Sequence, residues 1–234
     1  MEREYVAGKE KKMKLSSLNE ETFRLKFRNL IYLPLTKNMR RKALENDNFT
    51  IISNNCWGGT VYESYGIRKM SPTVGMFIMP EDYLKFVSNL DYYLEQPLKF
   101  IDPDDSKWKE TLQGKSNWKT YLIARLDDIE LQMLHHHDEA VARRKWEDRI
   151  KRVNKQRLIF KFNDQNGASR EQIRKFMELP LEHKLCFVAT SDYKVNDNVI
   201  FVKQPRKYSG GIKASREPFG KSRYIDLTAY INNV

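Results

Sequence analysis

The sequence predicts an α/β fold: three layers, α/β/α, around a largely parallel or mixed sheet, with an N-terminal helical arm. Two observations carry this. From residue 49 onward, short β-branched and aromatic runs alternate with segments of helical period. The chain has 234 residues, 40% hydrophobic and 12% aromatic, enough to bury a core on both faces of a sheet. The expected organisation is a basic helical arm over residues 1–47 and one α/β domain over 48–234.

In order along the chain, the first sixteen or so residues are charged and Ser/Lys-rich and read as a frayed terminus. From Ser17 to about Leu33 a helix is expected, capped by Ser17 or Asn19, with Glu20 and Glu21 in its first turn. Phe23, Phe27, Leu30 and Ile31 fall on one face, which suits a helix packed on the sheet or, alternatively, one lying on a membrane surface. Pro34 should end or kink it, and a second helix is expected over Asn38–Asn46. Strands are expected near 49–54, 73–78, 98–101, 120–124, 129–134, 157–162, 184–189 and 199–202. Helices are expected near 60–66, 80–94, 138–154, 169–178 and 226–232. Pro80 suits the first turn of its helix, and Asp138 suits a cap. Residues 204–222, rich in proline and glycine, read as a long loop of the kind that often carries function.

The net charge of +11 is uneven. Residues 1–47 contribute +5, residues 139–161 contribute +6 and residues 203–223 contribute +6, so the remainder is mildly acidic. Basic segments suit an anionic partner: a phosphate-bearing small molecule, a glycan-lipid substrate or a peripheral membrane surface. A nucleic-acid partner is disfavoured, because the basic residues are not interleaved with aromatics on one face. No apolar run approaches the length of a transmembrane helix, and the first residues lack the apolar core of a secretory signal. Two widely spaced cysteines, Cys56 and Cys186, suit a reducing compartment and exclude a zinc site built from cysteines. The expected location is cytoplasmic, peripheral to the inner face of the membrane if the arm docks there.

The candidate site lies where strands end. Asn54, Asn55, Cys56, Trp57, Gly58 and Gly59 form a strand-to-helix turn, the place where open α/β sheets bind ligands. The asparagines offer directed hydrogen bonds, Trp57 a stacking face, and the glycines close backbone approach. A tight turn with Trp57 in the core fits the same residues. Asn163 and Asp164 form a similar cluster after the strand near 157–162, and neighbouring strands would bring both clusters into one crevice. Arg149, on the helix near 138–154, is either an anion ligand or a structural ion pair. His135 is a general-base candidate; with His137 it has metal-ligand spacing, although adjacent histidines in a loop are commonly just solvated. Asp102-Pro103-Asp104 has the form of a divalent-metal motif and also of an ordinary turn; Asp127 and Asp128 pose the same alternative. A divalent cation is thus an open cofactor. Covalent chemistry at Cys56 would require a depressed thiol pKa.

The segments Ile52–Gly59, Ser71–Phe77, Glu81–Phe86, Asp127–Leu131, Leu134–His136, Lys145–Arg149, Phe162–Gly167 and Phe176–Pro180 run in order through residues 48–190. Together they resemble a bacterial family of unknown function usually labelled exopolysaccharide or capsular polysaccharide biosynthesis protein. His136 stands where that family's signature has an aromatic residue. The resemblance implies a role in surface-polysaccharide assembly. Joined to the residue reading, it gives a glycosyl-type transferase with an anionic nucleotide-sugar donor. Asn54, Asn55, Trp57, Ser71 and Asn163 would contact the ligand, Arg149 would neutralise phosphate, and Asp164 and His135 would exchange protons. A polymer-modifying acyl- or phosphotransferase and a noncatalytic glycan-binding or assembly factor are the alternatives.

Overall fold

A computed structural model describes residues 22–23, 25–115, 117–204 and 211–234. Eight strands and eight helices run in the order α1 (Leu33–Lys42), β1 (Thr50–Ser53), α2 (Trp57–Tyr65), β2 (Phe77–Ile78), α3 (Pro80–Ser88), α4 (Leu90–Glu95), β3 (Lys99–Ile101), α5 (Lys109–Leu112), β4 (Leu122–Leu126), β5 (Ile129–Met133), α6 (Glu139–Ile150), β6 (Leu158–Asn163), α7 (Arg170–Glu178), β7 (Lys184–Val188), β8 (Val199–Phe201) and α8 (Leu227–Asn232). The fold is α/β, and all eight strand runs of the sequence form strands.

The strands divide between two sheets. β1-β6-β7-β8 is entirely parallel, and β2-β5-β4-β3 is antiparallel. The expected single sheet, largely parallel or mixed, is thus two, one parallel and one antiparallel. Only Asp127 and Asp128 separate β4 from β5, and a parallel crossover needs about a dozen residues or more. The turn places Asp127 at φ 51°. Asp127 accepts a hydrogen bond from Tyr92, and Asp128 accepts from Lys85 and Tyr93, so this acidic pair pins the hairpin to α3 and α4. Asp102 likewise accepts from the Asp104 amide at 2.8 Å and forms an ordinary turn.

Two-residue alternation sorts the parallel sheet. Ile52, Phe160, Phe162, Cys186 and Val188 point into a core shared with α3, α6, α7 and the second sheet. Ile51, Ile159, Leu185 and Phe187 point the other way, onto α2 and α8. Helix ends follow their local chemistry. Ser169 and Gln172 form a reciprocal capping box on α7, Asp138 accepts from the Val141 amide on α6, and Pro80 opens α3. Ala142 and Trp146 bury the inner stripe of α6, as its periodicity predicts.

The arm departs from expectation. Pro34 does not end it; a π-turn, Arg28–Tyr32, precedes α1 and the Leu33 amide donates to Arg28 across five residues. The wider turn accommodates a proline ring that would otherwise crowd the carbonyl four residues back. Phe23, Phe27, Leu30 and Ile31 do not pack on the sheet; all four are exposed. The arm instead buries Leu33 and Arg40 and rests on α2, with Arg40 donating to the Ser64 carbonyl. Its first turn, before residue 22, lies outside the described residues. Among the described residues no helix is long and apolar enough to cross a membrane.

Candidate functional site

Strands β1 and β6 are parallel neighbours, in register from Thr50–Leu158 to Ser53–Lys161. Their carboxyl ends therefore lie side by side, and Asn54-Asn55 meets Asn163-Asp164. The contact is direct: Asn54 Nδ2 donates to Asn163 Oδ1 at 2.8 Å. At the centre stands a residue pair that no sequence pattern isolates. Lys161 is fully buried, and its ammonium pairs with Glu217, which returns from the loop after β8. Asn55 completes the network. Its Oδ1 accepts from Lys161 at 3.1 Å and from the Trp57 amide at 3.0 Å, and its Nδ2 donates to Glu217 Oε2 at 3.1 Å and Gln165 Oε1 at 3.2 Å. Asn163 donates to the other Glu217 oxygen at 2.7 Å. Burial pushes the Glu217 carboxyl up and the Lys161 ammonium down; each partner's charge opposes the other's shift. The buried charges survive because every one is hydrogen-bonded.

Above this floor opens a cleft of about 1290 Å³, walled by the start of α2, the turn after β6, the β2 approach, His135 and His136, α6, the loop near Lys213 and the arm. Among the described residues six cations line it, Arg28, Lys69, Lys115, Lys145, Arg149 and Lys213, against one carboxylate, Glu63. Glu63 pairs with Lys69 at 2.7 Å. Arg149 donates to the Val74 carbonyl at 2.7 Å and makes no ion pair with any described carboxylate, so its role as a structural ion pair falls away. Burial, then Arg152, holds its pKa below the ordinary value. Lys115 donates to Asn166 at 3.0 Å and lies 5.3 Å from the Phe77 ring centroid. The amino end of α2 faces this cleft through Cys56 and Gly59, adding the partial positive charge of its unpaired amides.

Of the predicted contacts, Asn55, Cys56, Gly59, His135 and Arg149 line the cleft. Asn54 and Asn163 are fully buried beneath it. Trp57 offers no stacking face, because it is sealed in the core, donates from Nε1 to Pro218 and packs edge-on against Phe187. Gly58 serves packing: a Cβ there would come within 3.3 Å of Ile51. Ser71 lies away from the cleft, in a turn with Thr73. Asp164 accepts from the Ala189 and Ile212 amides, both at 2.7 Å, one on each carboxylate oxygen, which clips the loop before Glu217 to the end of β7. Both oxygens thus carry a structural hydrogen bond, beside whatever else this carboxylate does.

The histidines divide. The His137 ring bonds the Thr120 carbonyl through Nδ1 and is not among the residues lining the cleft, which His135 reaches. Among the described residues no group of three or more His, Cys, Asp or Glu is arranged to hold a metal ion. His135 reaches the cleft, and desolvation lowers its pKa. His136, which the pattern reading passed over, is buried in the cleft wall, and its Nδ1 has no hydrogen-bond partner among the described residues. Burial, then Lys145 and Arg149, push it down to about 4. Gly75, at φ 90°, lets the chain pass this ring; a Cβ would stand 3.1 Å from its Nε2.

Burial also pushes the Cys56 thiol up to about 11, ahead of an opposing effect of Lys161. It is a neutral thiol in the cell's pH range. Alkylation of Cys56 by iodoacetamide near neutral pH is expected to be roughly a hundredfold slower in the folded protein than in urea. A rate equal to that of the unfolded chain would contradict this environment.

An uncharacterized protein of Haemophilus influenzae is 30% identical over 153 residues, which is 65% of this chain and 67% of the relative. A family described as "Domain of unknown function (DUF1919)" matches residues 28–233, from the arm's π-turn to the end of α8, and the chain belongs to that family.

Proposed function

We infer that the chain is a transferase whose cleft holds its donor by phosphate, the donor class being a nucleoside-diphosphate sugar. The observation that carries this reading is the charge of the cleft, six cations against one carboxylate among the described residues, at the amino end of a helix. Such a surface favours a compact anion of two or more charges, and planar Arg149 suits a phosphate edge. His135 reaches the cleft, where desolvation lowers its pKa and favours the neutral base, and on this reading it accepts the proton of an attacking hydroxyl. Asn55 and Cys56 supply polar contacts beside it. The resemblance of the motifs in residues 48–190 supplies the setting, assembly of surface polysaccharide. A second reading, a noncatalytic glycan-binding or assembly factor, is favoured by one observation: Asp164, the carboxylate at the strand ends, is spent on backbone amides.

Thermal unfolding against nucleotides, nucleotide sugars and acyl-coenzyme A, with and without magnesium, tests the reading. A ligand at a hundred times its Kd adds about 2.7 kcal/mol, a rise of roughly 5–10 °C for a chain of this size. The expected result is a rise with a nucleotide sugar, lost in Arg149→Ala. His135→Ala should keep the rise and abolish transfer to an acceptor. A rise without turnover in the unaltered protein favours the binding factor, and a response confined to acyl-coenzyme A favours acyl transfer. Silence across the panel refutes a phosphate-held donor.

A further inference from the structure

The arm carries an apolar face that no other described residue covers. Phe23 is 73% exposed, Leu30 74%, Leu35 75% and Met39 68%, with Phe27 and Ile31 beside them. A patch of this composition on one helix marks an interaction surface. The π-turn makes it continuous. An α-helix turns about 100° per residue, and the extra residue of a π-turn sets the following phase back by about that much. These six side chains then fall within about 100° of arc, opposite the buried Leu33 and Arg40. Without the π-turn, Leu35 and Met39 would rotate towards the side that packs on α2.

The charge around the stripe selects the partner. From residue 22 to 42 the chain has seven Lys or Arg and neither Asp nor Glu. Lys26, Lys37, Arg41 and Lys42 are exposed. A second copy of this arm would bring the same cations against themselves. An anionic lipid surface instead accepts the apolar residues among its acyl chains and the cations among its headgroups. Leu25, Arg28 and Asn29 of the same arm line the cleft, so a docked arm would bring the cleft mouth close to the bilayer. We propose that residues 22–42 form an interfacial helix that docks the protein on an anionic membrane surface. This holds whatever reaction the cleft performs.

Vesicle flotation of the full chain tests it. Vesicles of equal parts phosphatidylcholine and phosphatidylglycerol should carry the protein up the gradient, vesicles of phosphatidylcholine alone should not, and added salt should release it. The double variant Leu30→Asp, Leu35→Asp should weaken binding at least about tenfold while melting at the unaltered temperature, since both side chains are exposed. Lys145→Gln with Arg149→Gln, which removes two of the cleft's cations, should leave flotation unchanged. No flotation with anionic vesicles overturns the proposal, as does flotation that survives the double aspartate variant. Loss of a solution dimer in that variant, without vesicle binding, gives the face to a second copy instead.

Discussion

Glu217→Ala is expected to destabilise the protein by about 3–5 kcal/mol, because it strands the Lys161 ammonium in the core. In thermal unfolding of a chain this long, that corresponds to a drop of roughly 6–20 °C. Lys161 has no route to water: it is fully buried, with Trp57 and Phe187 rings 5.8 and 6.0 Å away. Its remaining partners, Asn54 and Asn55, are neutral and already engaged with each other's surroundings. Glu217 also ties Asn55 to Asn163, so the truncation takes one hydrogen bond from each amide group and leaves Asn55 only Gln165 and Asn163 only the Ile212 carbonyl. Replacing both charges, as Lys161→Met with Glu217→Met, should recover much of the loss, since burying an ion pair costs desolvation that two apolar side chains do not incur. If Glu217→Ala melts within a degree or two of the unaltered protein, Lys161 is not confined as the structure places it.

Acid should loosen the cleft wall through His136. Its folded pKa of about 4 lies below the ordinary 6.5, so between these values the unfolded chain binds the proton and the folded one does not. Stability is then complete above about pH 6.5 and declines as pH falls towards 4. At about 1.36 kcal/mol per unit, the full decline is about 3 kcal/mol. The cause is local: burial first, then the positive charges of Lys145 and Arg149. Urea midpoints measured across this range should fall with pH, and His136→Phe should flatten that part of the profile. An aromatic ring of similar size suits this wall, and it has no proton to take up. An unchanged pH profile in His136→Phe would mean that other groups carry the acid sensitivity.

The strands and most helices were legible because each bears its own periodic run between turn residues. The β4–β5 hairpin was also written in the chain, in the short spacing at Asp127-Asp128, but the division into two sheets was not, because a hairpin fits one mixed sheet equally well. The convergence of Asn54-Asn55 with Asn163 was legible because both follow strands, but adjacency of β1 and β6 is a long-range pairing that local pattern does not encode. Glu217 was illegible for the same reason. It sits in a loop, with no period, and acquires meaning only when the loop folds back over Lys161. Lys161 itself occupies a core position in the alternation of β6, and a lysine there was the one available signal that a buried carboxylate must lie opposite. Trp57 was ambiguous because a tryptophan after a strand fits core and cleft alike, and its neighbours in α8 and β7 come from distant sequence. The arm was misread because Phe23, Phe27, Leu30 and Ile31 form a good apolar face, while the π-turn that orients it leaves no mark in the composition.

The central claim is that the cationic cleft binds a phosphate-bearing ligand, and inorganic pyrophosphate is its simplest probe. Titration calorimetry of the full chain with pyrophosphate should show saturable binding that weakens with salt. Arg149→Gln with Lys145→Gln should raise the Kd at least about tenfold, since charge-assisted hydrogen bonds contribute about 1.5–3 kcal/mol each. Equal affinity in the two proteins, or no saturable binding at all, would contradict the account.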